Sequence, residues 1–106
     1  MDAAAALSAI RGFREALVGE GVRPAKIILC GSYARGDWKD WSDIDVAVVS
    51  EDFAGKGYWD RIDLLVEGIC RVRQPIEAVA MTPEEWEKGD SMIAQFAREG
   101  EVVYSA

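Results

Sequence analysis

Apolar positions recur along the chain in two rhythms, one helical and one of strands. Leu7, Ile10, Phe13, Leu17 and Val18 fall at helical spacing, with Asp2 placed to cap the start and Gly19 and Gly21 to end the run. Pro24 follows, as expected after a helix stop. Lys26 to Cys30 is a short apolar, β-branched run and predicts a buried strand that ends at Gly31-Ser32. The polar stretch Tyr33 to Trp41 has room for one helical turn at Tyr33-Ala34-Arg35. Ser42 to Ser50 predicts a second strand, alternating at first and continuously apolar later. After a loop at Glu51 to Gly57, the residues Ile62, Leu65, Val66, Ile69 and Cys70 mark one face of a helix over Tyr58 to Val72. Pro75 to Met81 predicts a third strand, and Thr82-Pro83-Glu84-Glu85 a helix start with Thr82 as its cap. Met92, Ile93 and Phe96 mark a last short helix, Gly100 stops it, and Glu101 to Tyr104 forms a final edge strand. No repeat or interdomain linker interrupts this order, so residues 1–106 read as one α/β (α+β) domain.

Composition narrows the chemistry. There is no histidine, which excludes Ser-His-Asp and Cys-His catalysis and histidine-ligated zinc. Nineteen acids against twelve bases give a net charge of −7, which argues against nucleic-acid binding through a phosphate-neutralising surface. Cys30 and Cys70 lie in apolar surroundings and read as two buried small hydrophobes in a reduced compartment. No apolar run has the roughly 18 residues a membrane span needs, and the start of the chain has none of the basic character of an export signal. The expected location is the cytoplasm. Trp38 and Trp41 flank the acidic loop and either close it onto the core or meet a nucleobase or partner. Trp59 and Trp86 are expected to pack between helix and sheet.

One spacing carries chemistry. Gly31-Ser32 ends a strand, ten residues follow, and Asp43-Ile44-Asp45 opens the next. Side chains alternate along a strand, so Asp43 and Asp45 point the same way. Two carboxylates on one face repel each other unless a cation lies between them, and Mg²⁺ takes such oxygen ligands together with substrate phosphates. If the first two strands form a long-looped hairpin, Gly31-Ser32 faces this pair. The helix Tyr58 to Val72 would then be a crossover to a parallel third strand, whose start at Glu77 shares the same edge. Gly31 permits close approach of a ligand, Ser32 and the following amides can meet phosphate oxygens, and Arg35 can clamp phosphate. Each feature alone is commonplace: a Gly-Ser turn, a solvated Asp-x-Asp, an exposed Glu or Arg. Their order and strand-loop-strand setting distinguish them.

The segment Gly31-Ser32-Tyr33-Ala34-Arg35-Gly36, continuing to Ser42-Asp43-Ile44-Asp45, closely resembles the signature of the minimal nucleotidyltransferases, within the DNA polymerase β-like superfamily. The resemblance implies a mixed sheet with helices packed on it and transfer of a nucleoside monophosphate from an NTP, with ATP the favoured donor. It implies that Asp43, Asp45 and Glu77 hold two divalent ions, Mg²⁺ or Mn²⁺, and that Gly31 and Ser32 hold the triphosphate. The third acid is often Asp in the wider superfamily; Glu77 reaches one methylene further. Larger relatives add a helical domain, for which this chain has no length.

Small members of this kind pair with helical HEPN-type proteins in toxin–antitoxin modules, which makes a partner hydroxyl the expected acceptor. Two other readings stand beside it: a binding module that neutralises its partner by contact alone, and a subunit of a small-molecule nucleotidyltransferase of the aminoglycoside type. The intact acid cluster favours the enzyme, because a pure binder has no need of three repelling carboxylates. A homo-oligomer is compatible with the sequence.

Overall fold

The computed structural model describes Met1–Ala106. Helix α1 (Ala3–Gly19) opens on Asp2, whose carboxylate accepts the Ala5 amide at 2.8 Å. Its buried stripe runs through Ala6, Ile10, Phe13 and Leu17. Leu7 and Val18, placed on that face by periodicity, lie one position round from the stripe and are exposed.

Strand β1 (Lys26–Cys30) leads directly into the single turn α2 (Gly31–Arg35) and pairs antiparallel with β2 (Ile44–Val49), with Cys30 opposite Asp45. Helix α3 (Tyr58–Val72) then crosses to β3 (Ile76–Met81), which lies parallel to β2 with Glu77 opposite Asp45. Strand β4 (Glu101–Ser105) pairs antiparallel with β1 and completes the order β3-β2-β1-β4. The long-looped hairpin, the parallel crossover and the final edge strand are those expected from the sequence.

Alternation divides the sheet into two packed faces. Ile27, Leu29, Ile44, Val46 and Val48 meet α1 and α3 in the larger core, with Phe13, Leu17 and Leu65. Ile28, Cys30, Ala47 and Val49 meet Ala94 and Ala97 of α5 (Met92–Arg98) on the other face. Small side chains on both partners bring α5 close onto the sheet. At the α1–α3 crossing, Gly68 does the same: a Cβ there would lie 3.0 Å from Phe13 Cε1 and Leu17 Cδ2.

Several expectations fail for one reason: each helix buries the residues that its docking turns inward, whatever their size. Helix α5 buries its two alanines, leaving Met92 87% exposed and Phe96 47% exposed. On α3 the buried positions are Leu65 and Gly68, so Val66 is exposed and Cys70 is an exposed free thiol rather than a core residue. Trp59 is 73% exposed and does not pack between helix and sheet. It meets Tyr58 edge-on instead.

Helix α4 (Pro83–Lys88) begins as expected. Thr82 accepts the Glu85 amide at 3.1 Å and Glu85 accepts the Thr82 amide at 2.7 Å, a reciprocal capping box. Burial pushes the Glu85 carboxyl up, but the Thr82 amide and the Arg61 guanidinium 2.7 Å away outweigh it and hold the carboxyl below its ordinary value. Glu85, given no role in the sequence reading, thus ties α4 to α3. No helix is long and apolar enough to cross a membrane.

Candidate active site

The site forms where β1 ends and β2 and β3 begin. Strand β1 stops because Gly31 turns the backbone into the left-handed region, φ +64°. This turn lays the Gly31 backbone directly over the Asp45 side chain. A Cβ on Gly31 would clash with Asp45 Oδ2 and lie 3.1 Å from its Cγ. Glycine is therefore required twice, for its dihedral and for the absence of a side chain. Ser32 opens the helical turn that follows, its carbonyl accepting the amides of Gly36 and Asp37.

Across the sheet the elements stand in one row. The Gly31-Ser32 turn ends β1, Asp45 lies on β2, and Glu77 lies on β3 in register with it. Asp43 immediately precedes β2, two residues from Asp45 and so on the same face. The sequence reading placed these acids together, and the structure does bring them together.

Their charges act on one another. Burial pushes the Asp45 carboxyl above its ordinary value, and the Asp43 charge adds to this; hydrogen bonding with Glu77 and the Arg35 charge oppose it. Glu77 is exposed, yet its carboxyl is also raised, first by the Asp43 charge and then by that of Asp45. Asp45 and Glu77 are both raised in part by the charge of Asp43, a charge that a cation would offset. The three carboxylates approach closely enough to couple but do not close into a compact ligand cage. The donor set is all oxygen, which suits Mg²⁺ or Mn²⁺ completed by water and phosphate.

Arg35 lies on the exposed end of α2. Its Nε is 3.2 Å from Asp37 Oδ2, so its guanidinium is engaged by a neighbouring acid, while its charge still reaches Asp45. Trp38 stacks on Tyr33 with centroids 5.4 Å apart, and the Tyr33 hydroxyl donates to the Met1 carbonyl. Trp38 thus closes the acidic loop onto the core, whereas Trp41 is exposed.

The structure adds one residue that periodicity had put to other use. Phe96 of α5 lines a cleft of about 520 Å³ together with Asp45, Glu77, Ile69 and Val79. Nothing in the helical pattern could place it there, because its position depends on how α5 docks across the sheet.

Comparison with known proteins agrees with this geometry. The family model described as nucleotidyltransferase domain matches residues 8–96, from α1 through α5. A Methanocaldococcus jannaschii protein, named as a candidate protein adenylyltransferase, is 36% identical over 85 residues, covering 77% of this chain and 80% of that one. The crystal structure of a candidate nucleotidyltransferase from Sulfolobus solfataricus superposes with a TM-score of 0.75 at 18% identity, covering 97% of this chain and 83% of that one, which establishes a shared fold. With a family match over most of its length and a Gly-Ser turn set against a row of acids at one end of a mixed sheet, the chain belongs to the nucleotidyltransferase domain family.

Proposed function

We propose that the chain transfers AMP from ATP to a hydroxyl group on a protein, using divalent ions held by Asp43, Asp45 and Glu77. The observation that carries this reading is the contact of Gly31 with Asp45. It sets a backbone turn without a side chain directly against carboxyls held above their ordinary values.

In this reading the Gly31-Ser32 turn receives the triphosphate, with backbone approach unobstructed by a side chain. Divalent ions bound by the three acids would neutralise the phosphates and acidify the acceptor hydroxyl. The hydroxyl oxygen bonds to the α-phosphorus while the α–β bridging bond breaks. Pyrophosphate departs with that electron pair, and the hydroxyl proton passes to a carboxylate and on to water. No histidine is needed for this step.

The name of the archaeal relative supports a protein as acceptor. The resemblance to small nucleotidyltransferases supports a helical HEPN-type partner in a toxin–antitoxin pair and a cytoplasmic setting. The test is incubation with α-labelled ATP, Mg²⁺ and the candidate partner. Wild type should add label and the mass of AMP, and Asp45→Asn should bind the partner without adding either. Protection of cells by Asp45→Asn equal to wild type, with no mass added in either case, would refute the enzyme reading in favour of binding alone.

A further inference from the structure

The row of site elements also assigns sides to the reaction. Displacement at phosphorus puts the attacking and leaving oxygens roughly in line. The triphosphate turn ends β1, so the acceptor must enter from the opposite side of Asp45, which is β3.

β3 is an open edge of the sheet. Ile44 N–H donates to Pro75 C=O and Ser50 N–H to Met81 C=O. In a parallel ladder this pattern turns the odd-numbered peptide groups of β3 toward β2 and the groups of Ala78 and Ala80 outward. These outward positions carry only methyl side chains, and β3 has no proline, lysine or bulge of the kind that guards natural edges. Two clefts flank the edge. One, of about 390 Å³, runs beside Tyr58, Ile62 and Ile93; the other is the 520 Å³ cleft that ends at Glu77 and Asp45. Helices α3 and α5 form the two walls, and the strand edge is the floor.

A floor of unpaired peptide groups between apolar walls matches one ligand chemistry, an extended polypeptide with side chains pointing alternately to either wall. Charge does not decide the occupant: the three acids at the near end would be matched by the divalent ions, and Arg61 at the far end is matched by Glu85 at 2.7 Å. Resting on the nucleotidyl-transfer reading, we propose that an extended segment of the acceptor protein adds as a fifth strand to β3. A hydroxyl side chain opposite Glu77 would then lie on the acid face, one strand spacing of about 4.8 Å beyond it.

The probe is a short peptide alternating valine with threonine and serine, with lysine at both ends. Wild type should bind it and protect the Ala78 and Ala80 amides from hydrogen exchange. N-methylation of alternate peptide amides should weaken binding roughly tenfold or more. Ala78→Pro removes an N–H that β2 does not use, so the fold should persist while peptide affinity falls equally. Peptide that binds with this edge dependence but takes no label from ATP would leave the docking edge standing and overturn adenylyl transfer. Labelling of another acceptor with equal binding of plain and N-methylated peptides would overturn the edge alone. Absence of peptide binding, or a wild-type dimer that Ala78→Pro converts to monomer, would overturn it as well, the dimer by giving the edge to a second copy.

Discussion

Gly31→Ala tests the keystone of the site in two independent currencies. An alanine held at φ +64° costs about 1–2 kcal/mol for the left-handed backbone alone. Its Cβ also clashes with Asp45 Oδ2, so the Asp45 side chain must shift off its rotamer, at about 0.5–1.5 kcal/mol. The smaller conformational freedom of an unfolded alanine returns no stability at a position whose dihedral it cannot adopt. The expected loss is therefore about 1.5–3.5 kcal/mol, or roughly 6–28 °C in Tm for a chain of this size. The double-mutant cycle with Asp45→Ala separates the two terms. Asp45→Ala deletes Oδ2 and Cγ, so Gly31→Ala in that background should cost only the backbone part. The coupling should be about 1 kcal/mol, read from urea denaturation of the four proteins. Activity should respond more sharply, because a displacement of about 1 Å at a reacting centre costs about 10²-fold. A single Gly31→Ala protein as stable and as active as wild type, or a coupling indistinguishable from zero, would show that Gly31 does not press on Asp45.

Four further outcomes follow from the same structure. Asp45 and Glu77 hold protons more tightly in the fold than in the unfolded chain. The native state therefore binds more protons through the window just above the ordinary carboxylate values, and their contribution to stability falls as pH rises through it. Asp45→Asn should flatten that decline and raise Tm at neutral pH without metal, measured by urea midpoints across pH 4–7 for both proteins; a lower Tm would make Asp45 structural. ATP should bind more tightly with Mg²⁺ than without, by calorimetry, because the acid cluster otherwise repels the triphosphate; equal affinity would refute the metal role. Cys30 is buried and its thiol is pushed up to about 11, by burial first and by the Asp45 charge, while Cys70 is exposed. Iodoacetamide at mildly alkaline pH should therefore add one group to the native protein, at Cys70, as read by peptide mass; labelling of Cys30 would contradict its burial. Gly68→Ala should destabilise by up to about 2 kcal/mol in chemical denaturation, since crowding Phe13 and Leu17 at 3.0 Å costs about 1–3 kcal/mol against a gain of about 1 kcal/mol in helix propensity; a more stable variant would show that both side chains yield freely.

The positions along the chain that carry the site were legible before any coordinates. Asp43 and Asp45 share a face because strands alternate, and that holds in any fold containing the strand. Glu77 could be brought to them because a helix between two strands of one sheet makes those strands parallel, and the register then set it opposite Asp45. The capping box at Thr82 was equally a local matter, fixed by side chain and backbone within a few residues.

What tertiary structure alone decided was which surface each helix offers. Cys70, Trp59, Met92 and Phe96 have the composition of a core and are exposed, because docking turns Leu65 and Gly68 of α3 and Ala94 and Ala97 of α5 inward instead. In α5 this leaves Ile93 and Phe96 at the clefts along the β3 edge, Phe96 in the one that holds Glu77. The overlap of Gly31 with Asp45 was likewise invisible in sequence, since it depends on one positive dihedral and on the pairing of Cys30 with Asp45. Periodicity reports that a residue is apolar and where it falls on its own element. Burial depends on the partner surface, and that surface exists only once the distant strands have paired.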